Sequence, residues 1–218
     1  MRLFIASLLL SFISFFAHSE TTAWALEQEE EEINLKIFTR EVEGSNLNEF
    51  KGEMLVKAQL TTIAALLLDS EAAPEWMHKC EKFEIVEQVD ALSAVIYFIN
   101  GAPWPVSDRD AVIISSMSQD PETLALKVEI NTVNDLLPEN DDYVRIPNMT
   151  GFWLFEPTEK GQVLITYQVH ANPGGSLPNW LANSVVVDTP YYTMSNMADM
   201  LKLEKYQQAE VKNIKNVQ

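Results

Sequence analysis

A single cysteine, Cys80, stands in the 218 residues, so no disulfide can close within the chain and stability must come from packing. Such a lone thiol reads as a small buried hydrophobe rather than a nucleophile. Basic side chains are scarce as well: 15 lysines and arginines stand against 32 aspartates and glutamates, a formal charge of -17. Nucleic acid and anionic lipid surfaces would be repelled within a Debye length, so no nucleic-acid partner is expected and a neutral or apolar ligand is favoured. The three histidines, His18, His78 and His170, fall in no metal-ligand spacing such as HExxH. There is no GxSxG elbow or phosphate-cradling glycine loop, and Gly174-Gly175 before Ser176 reads as a turn into the last helix. These absences leave no catalytic centre, metal or cofactor to expect.

What is present begins with an apolar leader. Met1 and Arg2 form a short positive start, LFIASLLLSFISFFA follows, and Ala17-His18-Ser19 places small residues at the minus-three and minus-one positions. Residues 1–19 are therefore expected to be a secretory signal peptide cut before Glu20, because the stretch is shorter than the ~20 apolar residues a spanning helix needs. No cysteine follows to carry a lipid anchor. Export across the inner membrane to the periplasm is expected. The remaining ~200 residues suit one domain, 20–210, with a short tail, 211–218.

Past the acidic run EQEEEE at 27–32, read as a solvated helix face or strand entry, INLKIFTREV and FKGEMLVKAQL alternate apolar and polar as strands do. They predict a hairpin through Glu43-Gly44-Ser45-Asn46. TTIAALLLDSEAAPEW changes to a helical period, with Pro74 as its end. Six further strand-like segments follow: FEIVEQVD, SAVIYFIN, DAVIISSM, LALKVEIN, YVRIPNMTGFWLFEP and QVLITYQVH. With no helix-length segment between them, they predict an antiparallel meander. From Leu177 to about Tyr206 the period is helical again, with Trp180, Ser184, Val187, Tyr191, Met194, Ala198 and Leu201 on one stripe and Pro190 as a kink or break. The class is α+β: a curved antiparallel sheet with one long helix across it, and a cavity between the two if the sheet does not close on the helix.

Five segments, PEWMHKC at 74–80, PWPVSDRD at 103–110, VRIPNMTGFW at 144–153, VLITYQVHANPGG at 163–175 and LPNWLAN at 177–183, together resemble START domains, the lipid-transfer domains related to the steroidogenic acute regulatory protein. The resemblance runs from about Trp24 to Tyr206 in the family's order. It implies a helix-grip fold, with a lipid held in a tunnel between the sheet and the C-terminal helix. It also implies lipid transfer with transient contact at a membrane surface, by a chain expected to be a monomer. Helix-grip enzymes of the cyclase or aromatase kind, where Asp110 or His170 could act as acid or base, and a ligand-free interaction module are the alternatives.

The site expectations combine the resemblance with strand and helix periodicity. The two prolines around Trp104 predict a stiff extended loop at the tunnel mouth, presenting the indole either to a lipid and bilayer surface or back into the core. Arg109, Ile113 and Ser115 share a strand face, so Arg109 would be a cation at the tunnel end, meeting either a lipid head group or a neighbouring carboxylate. Trp153 with Phe155, Ile165 with Tyr167, and the stripe Trp180, Ser184, Val187, Tyr191 and Met194 are the remaining lipid-lining candidates. Sterol-carrying relatives have an arginine where this chain has Ser115. Choline-binding relatives use aromatic cages, and no aromatic residue occurs from Ser116 to Asp142. Neither ligand is favoured.

Overall fold

A computed structural model describes residues 22–45, 47–158 and 161–217, the side chains of Asn179, Trp180 and Asn183 excepted. The expected signal peptide lies outside the described residues. The order of elements is β1 (Ala25–Glu30), β2 (Leu35–Arg40), β3 (Glu49–Val56), α1 (Leu60–Leu68), α2 (Ala73–Trp76), β4 (Cys80–Asp90) and β5 (Ser93–Asn100). Then come β6 (Arg109–Gln119), β7 (Leu126–Thr132), β8 (Val144–Arg145), β9 (Asn148–Pro157), β10 (Val163–Asn172), α3 (Asn179–Met200) and α4 (Glu204–Gln207). All ten strands join one curved open sheet in the order β1-β2-β3-β10-β9-β7-β6-β5-β4, with β8 beside β6. Together with α3 this is the α+β helix-grip fold.

The predicted hairpin is β2 with β3, and Ser45 N donates to Val42 O at 3.0 Å in its turn. Two departures follow from charge and from proline. β1 occupies the start of the acidic run: Thr39 Oγ1 donates to Glu27 at 2.6 Å and Lys36 pairs with Glu29 at 2.9 Å, so cross-strand partners make the glutamates compatible with a strand. YVRIPNMTGFWLFEP splits at Pro147 into β8 and β9, and β8 pairs with β6 in parallel. The meander expectation therefore holds from β4 through β7 and β9 to β10, with β8 as its departure. β3, outside that series, pairs with β10 (Met54 opposite Ile165), while α1 and α2 carry the chain to the far edge.

Pro74 also differs from expectation, because it stands in the first turn of α2, where a missing N–H is harmless, rather than ending α1. α3 runs unbroken through Pro190, which is buried. The helix lies over β2 and β3. Gly52 permits the approach: a Cβ there would collide with Met194 Sδ, and Met194 is fully buried. The core runs from Leu35, Ile37 and Met54 through Ile63 and Leu66 to Leu126, Phe155, Ile165 and Met197.

Candidate functional site

Two apolar chambers lie against the concave side of the sheet. The first, about 160 Å3, is roofed by α3 through Leu181, Ser184, Val185, Thr189 and Thr193, and walled by Phe98, Ile113, Ile130, Tyr167 and Val169. The second, about 340 Å3, lies under α1 and α2, walled by Leu67, Trp76, Phe83, Ile96, Ser115, Met117, Val128 and Trp153. Met77, Ile113 and Ile130 belong to both walls and divide them. A polar vestibule of about 860 Å3, bounded by Ser45, Asn148, His170, Asn172 and Ser176, shares Leu47, Pro173 and Leu177 with the first chamber. It lies between the β2–β3 turn and the β10–α3 connection.

The dividing wall is held from two sides. Trp153 and Tyr167, cross-strand partners on β9 and β10, stack with centroids 3.7 Å apart, and Trp76 meets Trp153 edge-on at 6.1 Å. Trp153 and Tyr167 thus cover one face of each other's ring, which takes those faces away from any cation. Burial pushes the Tyr167 hydroxyl far above the ordinary tyrosine range, and it stays neutral. The segment after α2 is tied to α3: His78 N donates to Thr193 Oγ1 at 3.1 Å, Asn196 Nδ2 donates to Trp76 O at 3.3 Å, and the His78 ring stacks on Tyr192 at 4.8 Å. Burial, and then Lys79 beside it, lower the His78 pKa below the usual histidine value.

The strand-face expectation for β6 agrees with the geometry. Arg109 and Ile113 line the first chamber, Ile113 and Ser115 the second. Arg109 is 7% exposed and its Nη1 donates to the Ser107 carbonyl, while its buried Nε has no protein partner. Burial lowers its pKa and the Asp108 charge acts against that. Of the two partners left open for Arg109, the neighbouring carboxylate is not taken: among the described residues Arg109 forms an ion pair with neither Asp108 nor Asp110. Asp110 points to the other face, where Arg145 holds it with Nε and Nη2 at 3.0 and 2.9 Å and Tyr97 donates its hydroxyl at 3.1 Å. Asp108 accepts from Ala102 N at 2.7 Å and braces the loop.

That loop is turned rather than extended, since Val106 N donates to Pro103 O at 3.0 Å across Trp104 and Pro105. Gly101, Ala102 and Pro103 line the first chamber, while Trp104 is 92% exposed, so the indole is not a core plug. Of the other candidates, Trp153, Tyr167 and Ser184 stand in chamber walls. Phe155 and Ile165 are fully buried core and line neither chamber.

The α3 stripe is rotated from its expected position. Val187, Tyr191 and Met194 are not in the chamber lining: Met194 sits on Gly52, the Tyr191 hydroxyl reaches Glu30 at 3.5 Å, and Val187 packs against the core cluster. The side chain of Trp180 lies outside the described residues. The chamber face carries Leu181, Val185, Thr189 and Thr193, four residues apart, which an apolar stripe does not select. His78, Lys79 and Asn100 are also in this wall and were not singled out by periodicity.

Cys80 is buried with its thiol pushed up to about 11, chiefly by burial, as befits a packing residue. Among the described residues there is no cluster of acidic, histidine and cysteine side chains able to hold a metal.

The START domain family's sequence model matches residues 16–203. An uncharacterized protein of Pseudomonas aeruginosa is 33% identical over 174 residues, covering 80% of this chain and 84% of that one. The Chinese hamster (Cricetulus griseus) ceramide transfer protein is 28% identical over 176 residues, covering 71% of this chain and 29% of that longer protein. Among solved structures, a STAR-related lipid transfer protein fragment from Xanthomonas axonopodis superposes with a TM-score of 0.74 at 38% identity, covering 83% of this chain and 99% of that one. With its family pattern spanning most of the sequence and its sheet gripping α3, this chain belongs to the START domain family.

Proposed function

We propose that this chain is an exported lipid carrier that holds one hydrophobic ligand in the chambers and exchanges it at membrane surfaces. The observation that carries the reading is the chamber roofed by α3 beside a second apolar chamber: the second, about 340 Å3, reaches the ~300–1,000 Å3 scale of small-molecule sites, and the first adds to it when Met77 and its neighbours part. Methionine suits that position, being unbranched and readily repacked. The relatives named for lipid or ceramide transfer support the same class of cargo. A carrier also needs no acid or base, and Asp110 is held by Arg145 and Tyr97 away from both chambers.

Export rests on the leader. Intact mass of protein recovered from the periplasm is expected to match a chain beginning at Glu20, and full-length protein held in the membrane fraction would contradict the soluble carrier.

Membrane contact rests on Trp104, an exposed indole on a loop whose base lines the chamber. In a vesicle-to-vesicle transfer assay with a fluorescent lipid, Trp104→Ala is expected to slow transfer on neutral vesicles without changing equilibrium affinity. The chain's charge of -17 gives no attraction to anionic vesicles, so the apolar contact matters most on neutral ones. Equal rates for the two proteins would rule out this role for the loop.

A further inference from the structure

The first chamber reverses the charge balance of the chain around it. Arg109 and Lys79 stand in its wall with His78, and no aspartate or glutamate lines it among the described residues, in a chain with 32 acidic and 15 basic residues. Both carboxylates that flank Arg109 are engaged elsewhere, Asp108 by the Ala102 amide and Asp110 by Arg145. Arg109 therefore keeps a buried positive charge whose Nε has no partner, an arrangement that is unfavourable until an anion arrives.

The neighbouring arginine shows what the vacant edge can hold. Arg145 grips both oxygens of Asp110 with Nε and Nη2, and this is the guanidinium edge that carries no protein hydrogen bond in Arg109 among the described residues. That edge matches two oxygens of one carboxylate or phosphate. Asn100, opposite Arg109 in the β5–β6 register, lines the same chamber with its side-chain oxygen unpartnered. Turned end for end, its amide gives a further donor to the same group.

We propose that the first chamber receives an oxyanion, the carboxylate or phosphate of the bound lipid, on the Nε–Nη2 edge of Arg109, with Lys79 at the rim adding attraction. This rests on the lipid-carrier reading and names the polar end of its cargo. The negative exterior disfavours docking on anionic membranes, while the chamber selects a single anionic lipid. Net charge alone points to a neutral ligand; the local field points the other way.

The test uses delipidated full-domain protein and three probes with one shared chain: oleate, 1-oleoyl lysophosphatidate and neutral 1-oleoylglycerol. Wild type is expected to bind at least one anionic probe more tightly than the glycerol ester, and the better of the two identifies carboxylate or phosphate as the source. Arg109→Gln is expected to weaken the anionic probes about ten- to hundredfold and to leave 1-oleoylglycerol unchanged. Arg109→Lys, which keeps charge but loses the fork, should fall between them. If the Arg109 variants fail to fold, Lys79→Gln at the exposed rim decides: a loss confined to the anionic probes supports the proposal, and unchanged binding overturns it. Equal weakening of all three probes, or of none, in Arg109→Gln overturns the oxyanion site and leaves the carrier reading standing. Binding of no probe by wild type sinks both.

Discussion

Replacing Arg145 by Ala is expected to lower the unfolding free energy by about 3–5 kcal/mol, the range for breaking a buried ion pair from one side. Asp110 is fully buried, and the change would leave its carboxylate with the Tyr97 hydroxyl as its remaining side-chain partner among the described residues. The same guanidinium also donates to the carbonyls of Leu137 and Pro138 at 3.2 and 3.0 Å, so it fastens the long β7–β8 connection to β6. Denaturant titration reads the loss, and a change below about 1 kcal/mol would show that water replaces the guanidinium, as at an exposed pair. The contrast with Arg109 is instructive, because two arginines on neighbouring strands take opposite roles. One is matched by protein, and the other faces a cavity.

Val185→Trp is expected to abolish lipid uptake while leaving stability within a few kcal/mol, since the indole enters open space in the first chamber rather than a closed core. Val187→Trp, two residues away, should do the reverse. Val187 packs against the core cluster, so enlarging it costs about 1–3 kcal/mol through overpacking and leaves binding intact. Uptake and thermal unfolding measured on both variants decide which face of α3 roofs the cavity. Loss of uptake in Val187→Trp, with Val185→Trp unaffected, would restore the apolar-stripe reading of the helix.

The reasons for success and failure in reading the sequence are physical. The face of β6 was legible because strand alternation is rigid: once Arg109 is placed, Ile113 and Ser115 must follow. The hairpin of β2 and β3 was legible for the same reason. α3 was misread because the most apolar stripe of a helix marks its tightest packing, and here that stripe presses on β2 and β3. Beside Ser184, which the stripe did include, the side over the cavity carries Thr189 and Thr193, small and partly polar side chains that an apolarity search passes over. β1 was hidden by glutamates whose partners, Thr39 and Lys36, lie on another strand. The tie between Arg145 and Asp110 spans 35 positions, and neither local spacing nor a charge run announces it. Overall acidity gave no sign of Arg109 and Lys79 in the first chamber's wall, because a sum over the surface says nothing about the charge inside a chamber.

The most direct test of a lipid held between sheet and helix is native mass spectrometry of the purified protein, recorded before and after lipid extraction. The account predicts one lipid per wild-type chain, lost on extraction and missing from Val185→Trp. A bare wild-type chain, or the same adduct on wild type and Val185→Trp, would contradict it.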